Sequence, residues 1–407
     1  MKYNYDKSVL KGLSVKPFLN QVKLRNQKIS EAPDDMPVSV FNANRLAASL
    51  HPPVQHTKIT EVTDFGFAKR FVLTADPERG TSEMAFFRAG QYVSVSLQIG
   101  NATLNKPYSI CSSPSDALNR EKSSYTLTVK HSEFGYASSY ILDNWKEGDR
   151  IDISGPLGEF YYQELRDAPN VVALAGGSGI TPFFSMASAI ADGIENFNMT
   201  ILYGSRKEED ILLKNELDEL VSRSDGKIRV VYVLSDEEKP GFEHGLLTAT
   251  LIRKYAPEGD YSIFECGPKA MYWYENNEVS NLKLPRRRVR QELSGDVTDI
   301  KKYGDHPAEF TDKEFNVTVD IRGKKQLISC AAGTTLLVAM ERAGINAPSH
   351  CRSGKCGWCR SKLISGEYYC PKDVDGRRTA DVKFNWIHPC CTFPLSDMEI
   401  CVYPVDQ

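Results

Sequence analysis

Residues 351–359 read CRSGKCGWC, and a further cysteine, Cys390, follows after thirty intervening residues. Cys351, Cys356, Cys359 and Cys390 therefore stand as C-x4-C-x2-C with a distant fourth, the spacing that holds a binuclear 2Fe-2S cluster. A loop wrapped round a buried anionic cluster must bring backbone N–H groups up to sulfur, and Gly354 and Gly357 allow that approach. Four thiolates also serve structural zinc, but zinc ligands more often come as two C-x2-C knuckles. A Rieske centre needs two histidines, and His350 and His388 do not fall at C-x-H and C-x-x-H positions. Cys391 adjoins Cys390 and competes as fourth ligand; the residues after it, Thr392, Phe393 and Pro394, align better with Cys390 ligating. Cys330, Cys370 and Cys401 read as packed thiols, since free cysteine commonly behaves as a small buried hydrophobe.

Just upstream, GTTLLVAMERAGI (333–345) supplies a helix with Thr334 or Thr335 as its cap and Gly344 as its terminator. The cysteine unit extends over 310–407, and a polar, charged link over 295–309 separates it from what precedes. A chain of 407 residues divides into two to three domains. Most of its ten cysteines lie at or after Cys330, and such clustering favours metal ligation over disulfides. A formal net charge of −3 gives no field to hold nucleic acid. The sequence has no apolar run long enough to span a membrane, and its first residues, MKYNYDKSVLKGL, lack the apolar stretch of a secretory signal. The expected location is the cytoplasm.

Residues 161–294 alternate apolar strands (VVALAG, MTILYG, IRVVYVLS, YSIFECG) with helical stretches such as TPFFSMASAIADG and DILLKNELDELVSR, the pattern of a parallel α/β sheet. Residues 54–160 repeat short β-branched runs (KITEV, RFVLTA, QYVSVSL, YSICS, YTLTVK, RIDIS), which indicate a small antiparallel barrel. Residues 1–53 form an extension with seven basic residues against only Asp6 up to Lys28; a loosely packed arm and a docking segment for an acidic partner both fit. A short helix is expected there at about 40–50.

Three further motifs lie upstream of the cysteines. In the barrel region Lys106, Pro107, Tyr108 and Ser109 place a cation, a ring and a hydroxyl on one strand, with Lys106 and Tyr108 on one face. Gly135, Tyr136, Ala137 and Ser138 form a small-residue turn opening a helix, which offers free N–H groups and a positive dipole end to a phosphate or is simply a capped helix. Strand VVALA runs into Gly176-Gly177-Ser178-Gly179-Ile180-Thr181-Pro182, a nucleotide cradle with Thr181 as cap and Pro182 at the first helical position. After the next strand, Ser205, Arg206 and Lys207 meet a ribose phosphate or form a solvated charge cluster. Cys266, Gly267 and Pro268 end another strand at the carboxyl edge, where open α/β sheets bind ligands.

Taken in order, KPYS, GYASS, GGSGITP and CGP followed by the cysteine set resemble the ferredoxin-NADP reductase superfamily fused to a carboxy-terminal ferredoxin domain, over residues 56–407. The resemblance implies three units: a flavin-binding antiparallel β-barrel, a pyridine-nucleotide-binding α/β parallel sheet and an α+β β-grasp ferredoxin domain. It implies that Lys106 contacts the flavin phosphates where relatives use arginine, that Tyr108 stacks on the isoalloxazine, and that Ser109 approaches its reactive edge. Lysine in that place gives up bidentate phosphate binding. By the same resemblance Val129 and Lys130 line the flavin chain, Gly135–Ser138 hold its phosphates, Gly176–Pro182 hold the nucleotide, and Cys266 lies near the nicotinamide. Ser109 and Cys266 are thus the expected catalytic residues. FAD is the expected flavin over FMN, with NADH or NADPH as donor.

A nicotinamide gives up two electrons together whereas a 2Fe-2S cluster accepts one, so a flavin between them is required. The implied activity is an NAD(P)H-dependent reductase that delivers single electrons to a redox protein, a terminal oxygenase or another metalloenzyme. Two other classes are an electron-transfer subunit of a larger dehydrogenase or hydrogenase, and a redox-sensing or zinc-stabilised interaction module.

Overall fold

In the computed structural model, residues 16–31, 42–132, 135–292, 295–298, 300–303, 307 and 312–403 are described; the rest of the expected extension and linker lies outside them. The first forty-nine residues form one unit and the remainder another. The first contains α1 (Lys16–Glu31) and α2 (Asn42–Leu50). Helix α2 falls on the expected helix; α1 is not anticipated, though its leucine, lysine, arginine and glutamine residues are good helix formers.

The second unit begins with six antiparallel strands: β1 (Gln55–Asp64), β2 (Ala68–Ala75), β3 (Tyr92–Ile99), β4 (Ala102–Ser109), β5 (Ser124–Lys130) and β6 (Arg150–Ile153), in the order β4-β3-β6-β1-β2-β5. The sheet curls round until Ile110, just past β4, bridges Leu127 of β5. The run YSICS was expected as a whole strand, but β4 starts six residues earlier. Gly100 and Asn101 make a two-residue hairpin, with Ile99 opposite Ala102, so the polar stretch TLNK is drawn into the ladder. Short helix α3 (Pro114–Ala117) and α4 (Tyr136–Asn144) flank the barrel.

Next come six parallel strands, β7 (Asn170–Gly176), β8 (Asn198–Ser205), β9 (Ile228–Leu234), β10 (Glu243–His244), β11 (Ser262–Cys266) and β12 (Val289–Gln291), ordered β10-β9-β8-β7-β11-β12. The helices between them are α5 (Ile180–Ala191), α6 (Lys214–Arg223), α7 (Ala249–Tyr255) and α8 (Lys269–Ser280). A parallel sheet needs both faces covered, which is why β7 and α5 are apolar almost throughout. Helix α5 also touches the barrel: Phe160 packs against Phe183 and Phe264, and Ser185 donates to the Ser112 carbonyl at 2.7 Å. Barrel and sheet therefore share a hydrophobic core.

The last unit has β13 (Glu314–Ile321), β14 (Lys324–Ala331), α9 (Leu336–Arg342), β15 (Ser361–Ser365), β16 (Tyr368–Tyr369), α10 (Thr379–Lys383), β17 (Trp386–Ile387), β18 (Phe393–Pro394) and β19 (Met398–Val402). Its main sheet runs β14-β13-β19-β15-β17 with β13 and β19 parallel at the centre, and α9 packs on it. Thr335 caps α9 by accepting from the Val338 N–H, and Gly344 closes it with φ +75. The expected linker is not a free tether, because Val297, Ile300 and Tyr303 are buried in this unit's core.

Candidate redox centre

One cleft of about 1200 Å³ receives a wall from all three units of the larger body. The end of β4 contributes Lys106, Pro107, Tyr108 and Ser109; the end of β5 contributes Lys130; the start of α4 contributes Gly135, Tyr136, Ala137 and Ser138. The sheet adds Gly176, Gly177, Gly179 and Thr181 from the turn after β7, and Cys266, Gly267 and Pro268 from the end of β11. Helix α9 and the cysteine loop add Val338, Glu341, Arg342 and Arg352.

Local sequence explains the placement. Gly135 caps α4, leaving the first N–H groups of that helix without intrahelical partners, and the Ser138 hydroxyl donates back to the Gly135 carbonyl at 2.9 Å. A Cβ on Gly179 would lie 2.0 Å from the Cys266 carbonyl oxygen, so only glycine lets the β7 turn press against the end of β11. Two placements differ from expectation. Helix α5 begins at Ile180 with Gly179 as its cap, so Thr181 and Pro182 sit inside its first turn, where Pro182 lacks an N–H that had no partner to lose. The side chains of Val129 and Pro182 are buried and do not line the cleft: β5 turns Val129 into the barrel core.

Ser205 and Arg206 line a second cavity of about 610 Å³, which shares Lys130, Gly176, Gly177 and Pro268 with the first. Arg206 Nε donates to Asp236 Oδ2 at 2.8 Å. The floor of this cavity is Glu275, fully buried, neither of whose carboxylate oxygens has a hydrogen-bond partner. Burial, then the neighbouring Glu265, pushes its carboxyl up to about 9. Cys266 is also driven upward, by burial and then by Glu292, so its thiol stays protonated beside the cleft.

The four cysteines fall into two pairs. Cys359 and Cys390 hold their sulfurs 3.4 Å apart, and Cys351 and Cys356 hydrogen-bond to one another. Two thiols per metal across two metals is the donor set of a binuclear cluster. Backbone N–H groups of Ser353 and Cys356 point at the Cys351 sulfur at 3.5 and 3.3 Å, Gly354 points at Cys390 at 3.2 Å, and Trp358 points at Cys356 at 3.5 Å. These donors fit thiolates carrying the charge of bound iron. In each pair one thiol is held low, Cys351 at about 6 by the hydrogen bond from Cys356 and Cys390 by that from Cys359. Gly354, at φ +82, has no room for a side chain because Val374 O and Cys391 Sγ stand against it. Cys391 belongs to neither pair but hydrogen-bonds to Cys390; its thiol also donates to the His388 carbonyl at 3.4 Å and lies 3.7 Å from Cys370 Sγ.

The sequence reading missed the link between this loop and the flavin-side cleft. Arg352, 1% exposed, donates to Asp296 Oδ1, to both carboxylate oxygens of Glu341 (Nη2 to Oε2 2.8 Å) and to the Asn105 carbonyl at 3.3 Å. Lys106 Nζ donates to Asp296 Oδ2, and Lys269 Nζ to the Asp296 carbonyl. Burial pushes the Asp296 carboxyl up, but Arg352 and Lys106 overcome it and hold it below the usual carboxylate range. A cation directly after a ligand cysteine was the one signal for Arg352; nothing periodic marks Asp296.

Three protein families match the chain in succession: the oxidoreductase FAD-binding domain over residues 70–162, the oxidoreductase NAD-binding domain over 173–274, and the 2Fe-2S iron-sulfur cluster binding domain over 319–395. The ferredoxin reductase component of 3-ketosteroid-9-alpha-monooxygenase from Mycobacterium tuberculosis is 32% identical over 268 residues, 64% of this chain and 69% of that one. The chain belongs to the ferredoxin-NADP reductase superfamily, in its branch with a carboxy-terminal 2Fe-2S ferredoxin domain. Within that superfamily it is also similar to the glycine betaine monooxygenase reductase subunit of Pseudomonas aeruginosa, at 28% identity over 77% of this chain and 87% of that one. Phthalate dioxygenase reductase shares its fold, with a TM-score of 0.59 over 86% of this chain and 98% of that chain at 24% identity.

As a superfamily member the chain is an NAD(P)H-dependent oxidoreductase carrying FAD and one 2Fe-2S cluster. Hydride passes from NAD(P)H to the flavin, and electrons leave singly through the cluster to a redox partner. No helix among the described residues is long and apolar enough to cross a membrane.

Proposed function

We propose that this chain is the reductase component of a cytoplasmic oxygenase system, with the cleft between its three units as the electron-transfer site. The observation that carries this reading is the common lining: β4, the β7 turn, the end of β11, α9 and Arg352 all face one cavity. Two relatives, named above, are reductase parts of monooxygenases.

FAD supplies the conversion of a two-electron donor into one-electron steps. Tyr108 and Ser109 bound the ring face, and the free N–H groups at the start of α4 bind the phosphates. Lys106, engaged with Asp296, braces the wall rather than reaching for a phosphate. The Gly176–Gly179 turn holds the nucleotide backbone, and Cys266 packs as a neutral thiol beside the nicotinamide. Cys351 and Cys356 hold one iron, Cys359 and Cys390 the other.

Cys356→Ser tests the order of transfer. Cytochrome c reduction is expected to vanish while NAD(P)H still bleaches the flavin band at the wild-type rate. Loss of both together overturns the assignment.

A further inference from the structure

The ferredoxin unit turns a basic face outward round its exposed cluster ligand, although the whole chain carries a formal net charge of −3. Between Lys355 and Trp386 the sequence has seven basic residues and four acidic ones. Two of those acids are already engaged: Asp381 Oδ1 holds Arg360 at 2.7 Å, and Asp375 holds Arg377 through two contacts at 2.7 and 2.8 Å. Of the seven basic residues Lys355, Arg360, Lys372, Arg378 and Lys383 are exposed, and of the four acidic ones only Glu367 and Asp373 are.

The segments that carry these charges pack together at the cysteine loop. The backbone of Gly354 and Lys355 packs against Val374 and Gly376, and the Arg360–Asp381 pair ties α10 to the same loop. At its middle Cys356 is exposed, and Trp358, the residue between two ligands, is 43% exposed with its N–H on the Cys356 sulfur. Phe384, which ends α10, is 58% exposed with Lys383 Nζ 5.9 Å from its ring. Exposed aromatic side chains surrounded by cationic ones are the composition of a protein-binding patch, not of an ordinary solvated surface.

Resting on the reading of the chain as a reductase, we propose that this face docks an acidic electron acceptor, a redox protein whose metal centre lies beneath a carboxylate-rich patch. Each encounter moves one electron from the reduced cluster to one oxidised metal centre of the partner, and one NAD(P)H supports two encounters. Opposite charges raise the encounter rate and lose that advantage as salt screens them.

The test uses the full-length holoenzyme with two protein acceptors, rubredoxin, which is acidic, and mitochondrial cytochrome c, which is basic. Second-order rate constants are measured from about 0.02 to about 0.5 M salt, a range over which the screening length falls below ~5 Å. Rubredoxin reduction is expected to fall about tenfold or more with salt, and cytochrome c reduction to hold or rise. The double variant Arg378→Glu, Lys383→Glu is expected to slow rubredoxin at low salt by a similar factor while ferricyanide reduction stays at the wild-type rate. If neither salt nor charge reversal slows rubredoxin, or if cytochrome c shows the falling profile instead, the acidic-partner inference is overturned. The underlying reductase reading fails separately, if Cys356→Ser still reduces rubredoxin or if that variant also loses flavin bleaching by NAD(P)H.

Discussion

Single side chains are expected to tune the donor preference and to contribute to the pH response. In the nucleotide site proposed above Arg206 would meet a 2′-phosphate, but Asp236 already pairs with it, and Asp210 lines the same cavity. An adenosine ribose with a free hydroxyl suits that surrounding and a phosphorylated one does not, so NADH is expected to exceed NADPH in kcat/KM. Asp236→Ala, by releasing the guanidinium, should raise the NADPH to NADH ratio about tenfold; an unchanged ratio would remove Arg206 from the site. Glu275 contributes to the pH effect as the highest of the raised carboxyls, above Glu265 and Glu292. Its folded pKa of about 9 lies above the ordinary carboxyl value of 4.5. Between those values the unfolded chain has lost the proton and the folded chain keeps it, so stability falls as pH rises through the window, by up to about 1.4 kcal/mol per unit, and levels off above pH 9. Glu275→Gln removes this drift. The melting temperature of the variant relative to wild type is expected to climb between pH 5 and pH 8, and a gap that stays constant would refute the cause.

At the scale of elements, what the sequence made legible was whatever repeats or is spaced. The cysteine register at 351–359 and the apolar runs VVALAG and YSIFECG each announce a local geometry, so the cluster loop, β7 and β11 follow from pattern alone. β4 was misplaced because its first half, ATLN, is polar; the tight Gly100-Asn101 hairpin, not hydrophobic alternation, sets its register. The start of α5 shifted by two residues for a related reason. Thr181 looks like a cap in isolation, whereas contact between Gly179 and the end of β11 decides where the helix begins. Short β10 and β12, of two and three residues, have no periodicity to read and exist through pairing with β9 and β11. Side-chain roles behaved likewise: Lys106 was legible as a cation at the flavin strand, but its carboxylate partner is 190 residues away in sequence.

That long-range partner joins three parts of the larger unit. Asp296 takes a proton donor from each of three units: Lys106 from the barrel, Lys269 from the start of α8 in the nucleotide sheet, and Arg352 from the cysteine loop. Electron transfer between two cofactors depends on a fixed separation, and these contacts are the polar ties that hold the loop against the flavin-side wall. Asp296→Asn keeps the shape and the backbone carbonyl but removes the charge, leaving the buried Arg352 with Glu341 as its sole carboxylate and Lys106 with none. Loss of one partner from a buried charge cluster is expected to lower stability by about 1–3 kcal/mol, less than the full penalty because Glu341 remains. The kinetic consequence should be selective. Ferricyanide reduction, which needs only the nucleotide and flavin units, is expected to stay within twofold of wild type. Cytochrome c reduction should drop at least several-fold, with the visible and EPR spectra of the cluster unaltered. Equal losses in both assays would mean that Asp296 supports the fold generally, and equal retention would mean that the three units keep their spacing without it.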